Sequence, residues 1–294
     1  ARVAEAREAT DRINAKMNIS GKRLEISCND KSFKAAFYEA SCPDAGMIFA
    51  FHGGGFCFGA NCIEDALYDT LRKTLKANVI SIEYPKNVLF PTALEDSYQA
   101  MLSVISNSAF SFDRNNISVF GCSAGANLAL SISMKAWREG RFKVRKRMLN
   151  YPYIDLATEP EEKGCPEAGI AANRFYAWCY TGDNMNRKDP LISPLYGQKE
   201  DFDPESETIM ILADIDPLKR EGQLLAEKLR SWGHPCQYHI ALGMGHGYLE
   251  YAFKECQDYI PPIIEKAKMD GTLKPAAKWA VELFEDFYLD GKYV

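Results

Sequence analysis

Short apolar runs alternate with amphipathic stretches through the middle of the chain. Runs of about four to eight apolar residues are typical of buried strands, whereas apolar residues repeated every three or four positions indicate helices packed on one face. The pattern predicts strands at Met47–Phe51, Asn78–Tyr84, Asn116–Phe120, Met148–Tyr153, Glu207–Ala213 and Cys236–Leu242, and helices at Glu64–Lys76, Pro91–Ser106, Ala124–Arg138 and Leu218–Trp232. This alternation is typical of a mostly parallel sheet with helices on both faces, so we predict an α/β fold.

The two ends of the chain and one internal segment depart from this alternation. The predicted elements outside it are a helix at Val3–Met17, strands at Arg23–Cys28 and Phe33–Glu39, and two or more helices within residues 249–294. Polar turn-forming residues surround an aromatic stretch, Phe175–Tyr180, within Asp155–Pro204. We interpret this segment as an insertion over the sheet edge, in which the aromatic stretch either lines a substrate pocket or packs as a core. The whole chain, residues 1–294, is predicted to form a single domain.

The strongest chemical motif lies between a predicted strand and a predicted helix. Gly121-Cys122-Ser123-Ala124-Gly125 matches Gly-x-Ser-x-Gly. A serine on so sharp a turn is held in a strained backbone conformation, and the flanking glycines remove side chains that would clash there. The helix that begins at Ala124 directs free backbone N–H groups at developing negative charge. We therefore predict that Ser123 is a nucleophile, with the Cys122 thiol pointing away from the reaction.

A second glycine-rich motif, His52-Gly53-Gly54-Gly55-Phe56, directly follows a predicted strand. Three successive glycines leave the backbone bare, so N–H groups can approach a substrate oxygen and stabilise an oxyanion. A phosphate-binding loop is disfavoured, because neither a Gly-Lys-Ser/Thr ending nor the Gly-x-Gly-x-x-Gly spacing is present. His52 itself is interpreted as a structural hydrogen-bonding residue.

A serine hydroxyl needs a base, and the chain contains four histidines: His52, His234, His239 and His246. His234 lies in a Trp-Gly-His-Pro turn after a predicted helix, and we predict it at the surface. His239 lies within a predicted strand, where it packs or faces the edge. His246 lies between glycines in a loop after that strand, so the backbone is free to bring its imidazole over the sheet edge. We predict that His246 is the base.

Two aspartates follow the strand Glu207–Ala213, and either could orient the histidine. Asp214 is nearer to the strand end, and Asp216 stands beside the proline at which the next helix starts. The alternative role for each is a helix cap or a solvated loop carboxylate. With either aspartate the chain order is Ser, Asp, His, which is the order expected of α/β-hydrolases.

Together these motifs resemble the hormone-sensitive-lipase-like branch of the α/β-hydrolase esterases, from about Met47 to Tyr248. The residues that carry the resemblance are His52–Phe56, Phe90–Asp96, Gly121–Gly125, Asp189–Leu195, Asp216–Leu218 and His246-Gly247. The resemblance implies the α/β-hydrolase fold and selects Asp216 as the acid. It implies an oxyanion hole formed by the N–H groups of Gly54, Gly55 and Ala124. It also implies a helical cap contributed by about residues 1–20 and 155–204.

The chain departs from the family's usual pattern at two places near these motifs. Cys122 stands where the family usually has Asp before the nucleophile, and Pro85–Val88 replaces the usual Arg-Leu-Ala-Pro-Glu after Tyr84. Neither departure removes a predicted catalytic or oxyanion residue. Both bear on the shape of the pocket and therefore on substrate preference.

The charge balance narrows the classes of partner. The 294 residues include 35 Lys or Arg and 40 Asp or Glu, and the resulting net charge of −5 argues against a nucleic-acid partner. The basic run from Arg138 to Arg147 is interpreted as a solvated loop. No apolar stretch reaches the ~18 residues typical of a transmembrane helix, so no membrane span is predicted.

The nine cysteines are an odd, scattered set that does not resemble a disulfide framework. We interpret them as free thiols, Cys57 and Cys62 included, in a cytoplasmic protein. No Cys/His spacing resembles a zinc site, so neither a metal nor a cofactor is predicted.

The sequence predicts a serine carboxylester hydrolase that acts on short-chain acyl esters through a Ser-His-Asp triad and an acyl-enzyme. Its expected partner is a small-molecule ester, and a homodimer is compatible with the sequence. Two alternatives are a formamidase or amidase on the same triad and a non-catalytic receptor for a small ligand on this scaffold. Related receptors usually lose the base, whereas His246 is present here.

Overall fold

The computed structural model describes residues 17–28, 31–42, 44–183, 185–253 and 260–290. The strands are β1 (Lys22–Cys28), β2 (Lys31–Tyr38), β3 (Met47–Phe51), β4 (Asn78–Ile82), β5 (Ile117–Cys122), β6 (Lys146–Asn150), β7 (Glu207–Ile215) and β8 (Cys236–Gly245). The α-helices are α1 (Asp65–Leu75), α2 (Thr92–Ser106), α3 (Ala124–Glu139), α4 (Glu167–Thr181), α5 (Lys219–Ser231), α6 (Tyr248–Phe253), α7 (Pro262–Met269) and α8 (Leu273–Asp290). The predicted helix at Val3–Met17 lies almost entirely outside the described residues.

The eight strands form one sheet in the order β1-β2-β4-β3-β5-β6-β7-β8. β1 and β2 pair antiparallel at one edge, and β2 pairs antiparallel with β4. Every pair from β4 to β8 is parallel. The predicted mostly parallel α/β sheet is therefore confirmed, and the carboxyl ends of β3, β5, β7 and β8 lie along the same edge.

Helices cover both faces of the sheet, and the sheet separates the core into two layers. On one face Phe49, Val119 and Met210 pack with apolar residues of α2, α3 and α5. On the other face Ile48 and Phe120 pack with residues of α1, α6, α7 and α8. Successive strand residues point to opposite faces, so continuous apolar runs are what a sheet buried on both sides requires. The long C-terminal region thus contributes a covering helix to the second layer.

The interpretation of Arg138–Arg147 as a solvated loop is wrong at its carboxyl end, where Lys146 and Arg147 lie buried in β6. The Arg147 guanidinium donates hydrogen bonds to the carbonyls of Asp203 (3.2 Å) and Ser206 (2.8 Å). Burial lowers its pKa to about 10. These carbonyl acceptors, both on Nη2, offset part of the large cost that a buried cation incurs by losing its hydration.

The buried ammonium of Lys146 also has carbonyl acceptors, which belong to the last turn of α8. This ammonium donates hydrogen bonds to the carbonyls of Phe287 and Tyr288 and lies 4.8 Å from the Phe287 ring centroid. The last carbonyls of a helix have no intrahelical donor and carry partial negative charge, so a cation there is favourable. The strand predicted at Met148–Tyr153 accordingly begins two residues earlier, at Lys146.

Eight cysteines in the described part of the chain are free, including Cys57 and Cys62 as predicted. Cys256 lies outside the described residues. Within the same residues, no helix has both the length and the apolar character that a bilayer crossing requires.

We expect α8 to contribute strongly to stability through Phe284, which is fully buried and packs edge-on against Phe120 at 5.5 Å. Phe284→Ala should lower the free energy of unfolding by roughly 3–5 kcal/mol, because it removes buried apolar surface and leaves a cavity. Urea denaturation measures this change. Leu289→Ala on the same helix is the control, since Leu289 is 47% exposed and its loss should cost well under about 1 kcal/mol. Equal effects of the two substitutions would contradict this account of α8.

Candidate active site

Ser123 lies on a sharp turn between β5 and α3, with φ 55° and ψ −119°. The two motif glycines permit this turn, because a Cβ on Gly121 would lie 2.4 Å from Gly125, and a Cβ on Gly125 would lie 2.1 Å from the Phe51 carbonyl oxygen. The backbone N–H of Ser123 donates to the Asn150 carbonyl at 3.0 Å, which ties the turn to β6. The strained conformation of Ser123 is therefore fixed by the close packing of the two glycines and by the hydrogen bond to β6. Ser123 is 7% exposed.

His246 follows β8 and precedes α6, in the loop that the glycines open. Its Nε2 lies 2.9 Å from Ser123 Oγ, and its Nδ1 lies 2.7 Å from Asp216 Oδ2. The Tyr151 ring packs against the imidazole with 4.8 Å between centroids. The structure thus brings the three predicted side chains into one continuous hydrogen-bonded chain.

The structure distinguishes between the two candidate aspartates. Asp216 has a side chain that is 1% exposed, and its Oδ1 accepts the backbone N–H of Leu218 at 2.9 Å while Oδ2 faces His246. Asp214 instead accepts hydrogen bonds from Lys219 Nζ (3.0 Å) and from the Gly243 N–H (3.2 Å). The β7–β8 pairing is irregular between residues 213 and 215, beside these two aspartates. Asp216 alone of the two contacts the histidine.

Two opposing effects act on the pKa of His246. Burial of the ring lowers this pKa. The charge of Asp216 and its hydrogen bond raise the pKa, and they outweigh the effect of burial, so the pKa of His246 lies above the ordinary 6.5. The side chain is still 38% exposed, through the open side of the cavity. The carboxylate therefore stabilises the imidazolium, as a group that receives and returns a proton requires.

The glycine loop after β3 lies beside Ser123. Gly54 (φ 125°) and Gly55 (φ 60°) have backbone conformations that favour glycine, and a Cβ on Gly54 would lie 2.2 Å from the Phe58 carbonyl oxygen. The Phe58 N–H donates to the Gly54 carbonyl at 2.8 Å and closes the turn. Gly54, Gly55 and Ser123 line the same cavity of about 740 Å³ as His246. The predicted oxyanion loop and the Ser–His–Asp chain therefore meet at one pocket.

One wall of this cavity comes from the predicted insertion. The lining residues from this segment are Cys165, Pro166, Ala168, Gly169, Asn173 and Tyr176. A Cβ on Gly55 would lie 2.6 Å from the Tyr176 ring, so this ring packs directly on the glycine loop. Tyr180, by contrast, is fully buried and stacks on Phe56 at 4.0 Å. The aromatic stretch thus serves both interpretations, since Tyr176 lines the pocket and Tyr180 packs in the core.

The remaining histidines lie away from Ser123. His52 is fully buried, stacks on Tyr84 at 4.2 Å and contacts the Gly53 carbonyl through Nδ1 at 2.6 Å, a placement that fits its predicted structural role. The prediction that His234 is at the surface is wrong, because this residue is 4% exposed and its ring packs against Trp232. His239 is partly buried on β8 against Trp279.

A buried carboxyl that the sequence analysis missed supports the segment below the triad. Glu221 on α5 accepts the backbone N–H groups of Ile154 (2.6 Å) and Asp155 (3.2 Å) and pairs with Lys163 at 2.6 Å. Burial raises the pKa of Glu221 to about 7. Its partners lie far away in the sequence, and the only local signal is its position in the first turn of the helix that follows Asp216.

Comparisons with known proteins agree with this architecture. Residues 48–250 match the protein family described as alpha/beta hydrolase fold. An arylesterase of Saccharolobus solfataricus is 29% identical over 212 residues, which cover 69% of this chain and 68% of that protein. The esterase LipI of Mycobacterium tuberculosis is 27% identical over 227 residues, covering 74% and 70% of the two chains. The chain belongs to the hormone-sensitive-lipase-like family of α/β hydrolases.

Solved structures show the same fold over nearly the whole chain. The esterase of Pyrobaculum calidifontis superposes with a TM-score of 0.77 at 24% identity, covering 96% of this chain and 94% of that one. At this level of identity the likeness concerns the fold.

We predict that the Asp216 carboxylate sets the pKa of His246. NMR titration of the His246 ring should give a pKa above 6.5 in the unaltered protein. Asp216→Asn should bring it below 6.5, because enclosure of the ring then acts without the opposing charge. Asp214→Asn is the matched control and should leave the titration unchanged, since Asp214 does not contact the ring. A His246 pKa that moves equally in both variants would count against the assignment.

Proposed function

We propose that the protein is a serine carboxylester hydrolase in which Ser123 is the nucleophile, His246 the general base and Asp216 the orienting acid. The observation that carries the proposal is the continuous contact from Asp216 to His246 (2.7 Å) and from His246 to Ser123 (2.9 Å) at one cavity. A nucleophile and a base within hydrogen-bonding distance, with the base held by a third group, define this type of covalent catalysis.

In the first half of the reaction Ser123 Oγ attacks the ester carbonyl carbon while its proton passes to His246 Nε2. The carbonyl oxygen becomes an oxyanion, which the N–H groups of Gly54, Gly55 and Ala124 stabilise. The C–O bond to the alcohol then breaks, and His246 returns the proton to the leaving oxygen. An acyl-Ser123 ester remains.

In the second half a water molecule attacks the acyl carbon, and His246 takes its proton. The tetrahedral intermediate collapses, the bond to Ser123 Oγ breaks, and His246 protonates this oxygen to restore the serine. Asp216 holds the tautomer with Nδ1–H and stabilises the imidazolium in both halves. The names of the esterase relatives and the family membership support an ester as the substrate.

The triad assignment predicts a clear order of activities toward p-nitrophenyl acetate. Ser123→Ala should lower turnover on the order of 10⁶-fold, because the nucleophile is lost. Asp216→Asn should lower it by roughly 10⁴-fold, because His246 loses the carboxylate that fixes its tautomer. Asp214→Asn, two residues away, should retain nearly full activity. Comparable turnover by Ser123→Ala and the unaltered protein would refute the proposed function.

We further propose that short acyl chains are preferred and that residues 155–204 act as a cap over the pocket. Support comes from the polar groups that interrupt the cavity wall, among them Glu64, Asn173 and Tyr176. A long acyl chain gains about 0.8 kcal/mol for each buried CH₂ only along an apolar surface. Each polar group that interrupts the mainly apolar wall removes part of that gain.

A series of p-nitrophenyl esters from acetyl to decanoyl tests this preference. We expect kcat/KM to be highest among the short chains. Tyr176→Ala should shift the optimum toward longer chains, because it widens the pocket beside Gly55. The ratio of kcat/KM for longer esters to kcat/KM for the acetate should rise by roughly 10-fold or more. Trp178→Ala on the same helix is the control, since Trp178 is 50% exposed and outside the pocket lining. An optimum at decanoyl in the unaltered protein would contradict the short-chain proposal.

A further inference from the structure

Two carboxyl groups lie directly beside the first glycine of the oxyanion loop, and the reaction described above does not use them. Glu64 Oε1 accepts the backbone N–H of Gly53 at 2.7 Å, and Glu64 Oε2 accepts the Tyr68 hydroxyl at 2.8 Å. Glu64 is 3% exposed, so these are buried hydrogen bonds. The carboxyl therefore fixes the residue that immediately precedes the proposed oxyanion donors.

The second carboxyl belongs to Glu250, one turn after His246 on α6. Glu250 Oε1 is so close to the loop that a Cβ on Gly53 would lie 2.8 Å from it. Glu64, Glu250 and Cys122 each offer one ligand-type atom within 4.8 Å of the others. Gly53 thus packs against both carboxyls, one from the segment before α1 and one from the helix that follows the proposed base.

Two carboxyls this close, one of them buried, cannot both ionise without strong repulsion, so the pair retains a proton that isolated carboxyls would lose. Burial and the charge of Glu250 raise the pKa of Glu64 to about 7, while His52, the Gly53 N–H and the Tyr68 hydroxyl act in the opposite direction.

Two further groups that face the pair, the Tyr68 hydroxyl and the Cys122 thiol, add no charge near neutral pH. Burial raises the pKa of Tyr68 and of Cys122 well above their ordinary values, so both stay neutral.

We propose that Glu64 and Glu250 are positioning residues that share one proton, and that this proton keeps a second negative charge away from the oxyanion loop. The inference rests on the proposed function, because it concerns the oxyanion formed there. When the shared proton is lost, the additional charge opposes the negative charge that develops on the substrate oxygen. The effect falls on the transition state and not on the neutral ester, so it changes kcat and leaves KM nearly unaltered.

The pH dependence of kcat tests this inference with p-nitrophenyl acetate between about pH 6 and pH 9.5, corrected for spontaneous hydrolysis. In the unaltered protein kcat should rise as His246 loses its proton and then fall by about tenfold as the carboxyl pair ionises. Glu250→Gln, which cannot carry the second charge, should keep the rise and lose the fall. Glu205→Gln removes an exposed carboxylate far from the loop and should reproduce the unaltered profile.

Two Glu64 variants distinguish the effect of the hydrogen bond to Gly53 on kcat from the effect of the carboxylate charge. Glu64→Gln keeps an oxygen acceptor for the Gly53 N–H and should also lose the alkaline fall in kcat. Glu64→Ala leaves that buried N–H without an acceptor and should lower kcat at every pH by roughly tenfold or more. Circular dichroism and thermal unfolding confirm that each variant compared is folded, and Glu250→Gln alone suffices if the Glu64 variants are not.

The result that overturns the inference is an alkaline fall in kcat that persists unchanged in Glu250→Gln, or a profile of the unaltered protein with no alkaline fall. Either outcome leaves the rise through the His246 ionisation and the dependence on Ser123 intact. Failure of the proposed function is recognised separately, by activity that survives Ser123→Ala.

Discussion

The strained backbone of Ser123 is the constraint around which the site is built. A backbone conformation with φ 55° is unfavourable for a residue other than glycine, so it persists only where the surrounding structure fixes it. Here the close approach of Gly125 to the end of β3 locks α3 onto the sheet, and the Asn150 carbonyl accepts the serine N–H from β6. The turn therefore depends on two neighbouring strands, and the glycine loop that leaves β3 starts at the same contact.

Sheet order explains how residues so distant in sequence meet at this turn. Asp216 follows β7 and His246 follows β8, and these parallel strands are neighbours that end at the same edge. The chain order Ser, Asp, His thus follows the order of β5, β7 and β8 along the chain, because each residue lies after the carboxyl end of one of these strands. Glu221, in the first turn of α5, connects the loop after β6 to the helix that follows Asp216.

The parts that the sequence could predict are those encoded by local patterns. Apolar runs and motif spacing predicted the parallel sheet, the turn at Ser123 and the histidine between glycines. The burial of Arg147 and His234 could not be predicted locally, because it depends on the Asp203 carbonyl and the Phe202 ring, which lie far away in the sequence. Likewise, motif spacing alone left Asp214 and Asp216 open, because the choice depends on which carboxylate reaches the histidine after the neighbouring strand.

The departure at Cys122 follows from the same long-range packing. The family pattern usually has Asp before the nucleophile, but here the Cys122 sulfur lies within 4.8 Å of a carboxylate oxygen of Glu64 and of Glu250. A third carboxylate in this enclosed space would raise the cost of ionising all three, whereas a thiol whose burial keeps it neutral adds no charge. The acidic groups behind the turn thus come from two other segments, and one of them, Glu64, accepts a hydrogen bond from the glycine loop directly.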